Sequence, residues 1–469
     1  MIYEFLKKRK DDLSHIAISY QNRNVSYAML YQNIFTTAIQ LKQLGVKEKD
    51  RVLLFLPNSI NFIVYFFAIE LLNATAVLCD IKFEDEVEIV VQDCNVRTII
   101  TDNFSVDKLC GKNLHNLTIV NLDNESIKES CDSIDITDAE DMDHEAMILY
   151  TSGTTGKIKG VRNTYATILA AVQHYTSTLP LTEEDTMIGV IPFYHSYGFG
   201  SCMMAGLSKG AHIVLFEKFI PNIILKSIFD YQATVFHGIP YMYDLIIKQL
   251  TADDKRLRSL KYCISAGAPL PGGIAEQFYK LTELIIHQEY GSSETGTISL
   301  NLGEDLEKNI SSVGKPLHGV DIQIQAEDNT ILISSESIAK GYVGDAEVPF
   351  PTKKYNTCDI GYLDEEGYIY ISGREKRMIN IDGLKVNADQ IEEIIKQHPE
   401  VIDVHVTSDK NDEGKVHLIA YIVKSNNKLT EKDIVTYCQK HVAAYKIPKV
   451  IQWVEKLNRS SSGKVREEQ

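Results

Sequence analysis

The sequence predicts an α/β protein, with a large multi-subdomain N-terminal part built on α/β sheets and a small α+β domain behind it. Three observations carry this. Short apolar runs of strand length, RVLLFL, TVFHGI and KYCISAG, recur along the chain and read as buried strands of a largely parallel sheet. Amphipathic helix patterns alternate with them. Around Gly373 the character changes to a charged turn, followed by about a hundred residues of short mixed strands and helices, which is domain-sized.

Taken in order, Ser26 is placed to cap a helix that carries Leu30, Ile34, Ala38 and Leu41 on one face, and Gly45 is placed to stop it. RVLLFL follows as a strand. The apolar stretch 52–79 is broken by Pro57, Asn58, Asn61, Glu70 and Asn73. A membrane span wants about 20 predominantly apolar residues, so a buried strand and then a buried helix are expected here. The run AMIL at 146–149 reads as a strand entering the loop of LYTSGTTGKIKGV, and MIGVIP as a strand entering FYHSYGFG. YIYISG ends a strand, GREKRMINIDG is a polar turn, and NADQIEEIIKQ begins an amphipathic helix, which places a boundary between 1–373 and 374–469. Beyond it IDVHVTS and KVHLIAYIV read as strands, LTEKDIVTYCQKHV as a helix and VIQWVEKL as a short strand. The closing NRSSSGKVREEQ is too polar for core.

Composition narrows the function. A chain of 469 residues suggests about three units of ~150 residues and can bury a sizeable core. Its 44% hydrophobic and 24% charged residues are those of a globular protein. A net charge of -16 argues against a general nucleic-acid binder. The eight cysteines form no CxxC pair and no compact Cys/His group, which argues against structural zinc and a disulfide framework. MIYEFLKKRKDD lacks the apolar core of a signal peptide, so a cytoplasmic protein without a transmembrane segment is expected.

LYTSGTTGKIKGV has the parts of a phosphate loop. Glycines let several amide N–H groups face one anion, while hydroxyls and lysines add donors and charge. The Walker spacing fails, because only Thr154 and Thr155 separate Gly153 from Gly156 and Ile158 follows Lys157. On these residues alone, a phosphate loop and a solvated turn both stand.

Six segments in order widen the reading: YTSGTTGKIKGV, IPFYHSYGFG at 191–200, YGSSETG at 290–296, TCD at 357–359, GREKRMINIDGLKV at 373–386, and SSSGK ending at Lys464. With them nearly the whole chain resembles the adenylate-forming superfamily of acyl-CoA synthetases, luciferases and peptide-synthetase adenylation domains, and most the acyl-CoA synthetases. The resemblance implies that a carboxylate attacks the α-phosphorus of ATP, a meeting of two anions that positioned cations and backbone donors must ease. Thr151, Ser152, Gly153, Thr154, Thr155, Gly156 and Lys159 would then hold the β- and γ-phosphates, and Glu294 with Thr151 would share Mg²⁺. Tyr290 and Gly291 would lie at the adenine, Gly267, Ala268 and Pro269 beside nucleotide and acyl group, and Asp359 and Arg374 at the ribose. Cys358 departs from the glycine usual before this aspartate.

By the same resemblance His195 is catalytic on the acid side, and Phe193, Tyr197, Phe199, His237, Gly238 and Tyr241 are candidate pocket walls. No aspartate between 191 and 203 offers an amine partner, so an α-amino acid is disfavoured. Lys464 would bridge the carboxylate and the α-phosphate as a mobile point charge. In the second half-reaction a thiol displaces AMP; the mobile small domain would turn about Lys376 and bring Gly383 and Lys385 towards the acyl-AMP. The favoured reading is a fatty-acid CoA ligase using ATP, Mg²⁺ and coenzyme A, with a homodimer allowed. A stand-alone ligase loading a carrier protein's phosphopantetheine remains open.

Overall fold

The structure, a computed structural model, describes residues 4–82, 86–109, 112, 114, 117–122, 141–152, 158–251, 254–344, 350, 353–381, 384–410, 416–426 and 428–457. The chain divides into two compact units. One comprises Met1–Ile322, Ile333–Tyr355 and Gly367–Ile369, the other Gln323–Leu332, Asn356–Glu366 and Tyr370–Gln469.

In the first unit the helix after Ser26 forms as the sequence requires. It spans Tyr27–Gln43, and the Ser26 hydroxyl accepts the Met29 amide at 3.2 Å. Leu30, Ile34, Ala38 and Leu41 are buried, and Gly45 follows the helix at φ +95. The apolar stretch becomes strand Arg51–Phe55 and helix Ile60–Leu71, whose nine buried residues leave it little free surface. Among the described residues no helix is long and apolar enough to cross a membrane.

A seven-stranded sheet runs in the order Gly341–Tyr342, Ile158–Thr164, Glu145–Ser152, Thr75–Leu78, Arg51–Phe55, Thr98–Thr101, Thr118–Asn121. A nine-stranded sheet runs Lys315–Pro316, Gly296–Leu300, Ile286–Ser292, Tyr262–Ser265, Val235–Gly238, Thr186–Gly189, His212–Leu215, Ile16–Tyr20, Arg23–Ser26. Its central strands are parallel and mostly apolar, with His237 and Ser265 among their buried residues. One core cluster gathers Ile188, Phe236, Tyr243, Ile264's neighbour Cys263 and Phe278 behind these strands.

In the second unit, helix Ala388–Lys396 lies against strands Val401–Lys410 and Val416–Lys424, which pair antiparallel, and Val450–Trp453 adds a parallel edge. Helix Glu431–His441 opens with a Thr430–Asp433 capping box. The polar turn read at GREKRMINIDG is more ordered than expected. Met378–Ile381 and Leu384–Asn387 pair as a two-stranded ribbon, and Ile381 and Val386 enter the core. Alternation in MINI and LKVN is the local cause, too short to stand out from the surrounding charge.

Candidate active site

Four parallel strands of the nine-stranded sheet end almost level. Phe236 pairs with Ile188, Gly238 with Ser265, and Ser265 with Gln288. Open α/β sheets take ligands at these carboxyl ends. These ends and the segments that leave them contain His195, Gly238, Gly267 with Ala268 and Pro269, and Tyr290 to Glu294, so one sheet edge gathers the acid-side, adenine-side and Glu294 residues singled out in the first unit.

The turn holding His195 is fixed by backbone and by one amide. The His195 amide donates to Pro192 O at 3.1 Å, and the Phe199 amide to His195 O at 2.9 Å. Only glycine fits at 198, where a Cβ would stand 2.3 Å from Pro192 O. Buried Asn58 donates to Ile191 O at 2.9 Å and accepts from the Phe193 amide at 2.8 Å. His195 Nε2 stands 3.7 Å from Oδ2 of buried Asp80, beyond hydrogen-bond range but within ion-pair range of a protonated ring.

Two expected walls are core instead. Phe193 and Phe199 are buried with their rings against Phe62 and Phe66, at 5.8 and 5.0 Å. Phe199 lies in the π-helical segment Tyr197–Met204, which rotates side chains away from the positions a regular helix would give them, while Phe193 lies in the turn before it, where its amide is held by Asn58. Tyr197 is half-buried, with its hydroxyl 3.2 Å from Gly238 O and 3.1 Å from Ile264 O. His237 is buried with Nε2 2.9 Å from the Tyr175 hydroxyl, and desolvation pushes its pKa down to about 3, so the ring is neutral. Tyr241 is exposed.

Gly291 follows half-buried Tyr290 where a Cβ would lie 2.4 Å from Gly296 O. Tight passage there turns the chain back towards Glu294. The Tyr342 hydroxyl donates to Glu294 Oε1 at 2.7 Å, and Lys159 Nζ sits 4.9 Å from the Tyr342 ring centre. Lys159 itself pairs with Thr151 across the hairpin. Thr151, Lys159 and Glu294 are thus brought together through Tyr342, which the sequence reading did not single out. Its only signal was a tyrosine between glycines, GYVG. Gly267 takes φ +83, and Gly267, Ala268 and Pro269 are all exposed.

In the second unit Arg374 Nε donates to Oδ1 of buried Asp359 at 2.8 Å. Cys358 takes φ +56, the left-handed region that glycine occupies without strain. Lys376 falls in the turn Glu375–Arg377 and Lys385 in strand Leu384–Asn387. Arg377 anchors that turn, bonding Asp389 at 2.7 Å, Val406 O at 2.8 Å and also Glu392. The backbone of Ser152 ends strand Glu145–Ser152, while Gly153, Thr154, Thr155, Gly156, Gly383 and Lys464 lie outside the described residues.

One buried acid was also missed. Glu289 Oε1 accepts from Ser201 Oγ at 2.6 Å and Thr297 Oγ1 at 2.7 Å, and burial pushes its pKa from 4.5 up to about 7. The folded carboxyl holds its proton more tightly than the unfolded one, so the stability linked to it is full below pH 4.5 and lost as pH rises through 7. Glu289→Gln cannot ionise. Its stability relative to the wild type should therefore rise by about 3 kcal/mol between those pH values and then level off, read by denaturant titration at a series of pH. Cys358→Gly should stabilise the chain by about 1 kcal/mol by removing the Cβ from a left-handed residue, read the same way.

A family model described as AMP-binding enzyme matches residues 6–343, and one described as AMP-binding enzyme C-terminal domain matches 390–464. A curated 2-succinylbenzoate–CoA ligase of Bacillus cereus is 27% identical over 96% of this chain and 94% of its own. That of Bacillus licheniformis is 27% identical over 98% of each. Among solved structures, the o-succinylbenzoate CoA synthetase of Bacillus subtilis in complex with its acyl-adenylate intermediate aligns at TM-score 0.89 and 25% identity, covering 98% of this chain and 96% of that one. ATP-bound MatB of Rhodopseudomonas palustris shares the fold at TM-score 0.88 and 23% identity, covering 99% and 97%.

Proposed function

This chain belongs to the AMP-binding enzyme family, and from that premise we propose how its residues divide the work and which acid they take. It is an AMP-forming acid–thiol ligase that uses ATP with Mg²⁺ and coenzyme A. The carboxylate attacks the α-phosphorus, pyrophosphate leaves, and the thiol then displaces AMP from the acyl-AMP.

In the first unit Thr151 and Lys159, with the segment 152–156, receive the β- and γ-phosphates, and Tyr290 and Gly291 lie at the adenine. Glu294 and Thr151 would hold Mg²⁺, an oxygen-only donor pair that suits this ion; when bound it neutralises phosphate charge. Gly267, Ala268 and Pro269 border the nucleotide and acyl group. In the second unit Asp359 and Arg374 hold the ribose. Lys464 bridges the attacking carboxylate and the α-phosphate. A boundary at 373/374, with Lys376 as hinge and Gly383 and Lys385 serving the thiol step, completes the assignment.

The acid we propose is a compact aromatic or polar-substituted carboxylic acid. Loss of Phe193 and Phe199 to the core removes much of the apolar lining on which a fatty acid was expected, and Tyr197, Ser196 and His195 remain at the strand ends. The curated relatives, named for 2-succinylbenzoate, support this class, and their naming as CoA ligases favours free coenzyme A over a carrier protein. The observation that carries the reading is the meeting of the two motifs, Ser293 Oγ with Ser196 Oγ at 3.4 Å, which sets the acid-side turn beside the loop of Glu294.

The test is pyrophosphate release from Mg·ATP with aromatic, dicarboxylic and fatty acids, each with and without coenzyme A. Release with an aromatic or polar-substituted acid, followed by AMP and acyl-CoA only when coenzyme A is present, is expected. Turnover confined to fatty acids would overturn the acid class. Lys464→Ala should lower adenylate formation by about 100-fold or more, as removal of a transition-state charge partner does, while leaving thioester formation from supplied acyl-AMP nearly intact. Equal loss in both half-reactions would remove Lys464 from the role.

A further inference from the structure

Strand Ile286–Ser292 carries Glu289 inward, into a core that offers it hydroxyls and no cation. Oε1 accepts from Ser201 and Thr297, whose oxygens lie 3.2 Å apart, and Oε2 has no hydrogen-bond partner among the described residues. Tyr175 faces the carboxyl from helix Tyr165–Thr178, and Tyr197 and Cys202 stand close by in the π-helical segment. His237, on strand Val235–Gly238, is reached through Tyr175, and its Nδ1 is likewise without a partner among the described residues. Among the described residues no lysine or arginine pairs with Glu289.

A buried carboxyl without a cation costs stability that an apolar side chain would not. What Glu289 gains is position. Ser201 lies in the π-helical segment Tyr197–Met204 that begins straight after His195 and Ser196, and Thr297 lies on the neighbouring strand Gly296–Leu300. Glu289 itself directly precedes Tyr290, at the start of the loop that reaches Glu294. Its single oxygen therefore joins the element behind the acid-side turn to the two strands that present the nucleotide-side residues. Near the strand ends the same two motifs meet again through Ser196 and Ser293 at 3.4 Å, so the pair is tied at two depths.

We propose that Glu289 is a positioning residue of the ligase, clamping Ser201 and Thr297 so that the His195–Ser196 turn and the Tyr290–Glu294 loop stand at one separation and occupancy of either site favours the other. The clamp rests on the ligase reading given above. An ionised carboxylate accepts two hydroxyls more strongly than a neutral one. Coupling therefore weakens as pH falls through the titration of this group near 7. Glutamine accepts the same two hydroxyls but only as a neutral group, and behaves at every pH as the protonated wild type does.

The experiment uses the full chain as wild type, Glu289→Gln and Ser201→Ala, between pH 5.5 and 8.5. It measures KM for the acid at low and saturating Mg·ATP, kcat, and the rise in Tm caused by Mg·ATP alone. In the wild type at pH 8, saturating Mg·ATP should lower the acid's KM by about tenfold, a coupling of ordinary size for linked sites. Both variants should reduce that factor to about two or less, and Glu289→Gln should also remove its decline with acid. Glu289→Gln is expected to fold, with an unliganded Tm at pH 8 no lower than the wild type's and a smaller rise on adding Mg·ATP.

A wild-type coupling factor and pH profile retained in Glu289→Gln, with only the unliganded Tm changed, would make Glu289 a structural residue and overturn the clamp. If the wild type releases no pyrophosphate with any acid, the ligase reading fails by itself. The Tm rise with Mg·ATP then still judges the clamp, and an equal rise in wild type and Glu289→Gln overturns it.

Discussion

Parallel pairing of the strands that end at Gly189, Gly238, Ser265 and Ser292 is the constraint on which the site depends. Parallel neighbours must be joined by crossovers, so the strands lie inside the unit, and their side chains are apolar or, like His237 and Glu289, buried polar groups held by neighbouring hydroxyls. Exposed polar groups are then concentrated towards the strand ends. Because the register sets Gly238 beside Ser265 and Ser265 beside Gln288, four stretches far apart in sequence emerge at one edge, and the loops there are free to carry histidine, serine, glutamate and glycine without disturbing the sheet.

Irregular segments at that edge still need their backbone groups satisfied, and a few buried polar side chains do this. Asn58 serves the Ile191–Phe193 stretch from the turn between strand Arg51–Phe55 and helix Ile60–Leu71, and the Tyr197 hydroxyl serves carbonyls near the ends of two strands. Each such bond is worth only about 1 kcal/mol net, yet leaving its partner bare would cost about 1–3 kcal/mol. The asymmetry favours one arrangement of the turn over neighbouring ones more than it deepens total stability. Glycines at 198 and 291 act in the same direction by steric exclusion, since each passes against a carbonyl oxygen where no side chain fits.

This division explains what the sequence could disclose. The helix of Tyr27–Gln43 was legible because its cap and its apolar face lie within one stretch of chain, and the elements after Ala388 were legible for the same reason. The motifs around Thr151, His195, Tyr290 and Asp359 were legible through resemblance to a family, to which the chain does belong. Residues that act across the fold gave no such sign. Asn58 meets Phe193 at a separation of 135 residues and Glu289 meets Ser201 at 88, distances at which no local period operates. The inward turn of Phe199 escaped for another reason, because a π-helical segment breaks the 3.6-residue period by which faces are assigned.

Charge poses the remaining question, since a chain of net charge -16 must draw together two anions. Lys159 lies over the Tyr342 ring, and the same tyrosine donates to Glu294, so one aromatic group spaces a cation from an anion without letting them collapse into an ion pair. Direct pairing would spend both charges on each other. Held apart, neither charge is spent on the other, and an excess of acid elsewhere on the chain matters little because exposed charges beyond about 10 Å are largely screened. Local separation of opposite charges is therefore set here by a residue that carries none.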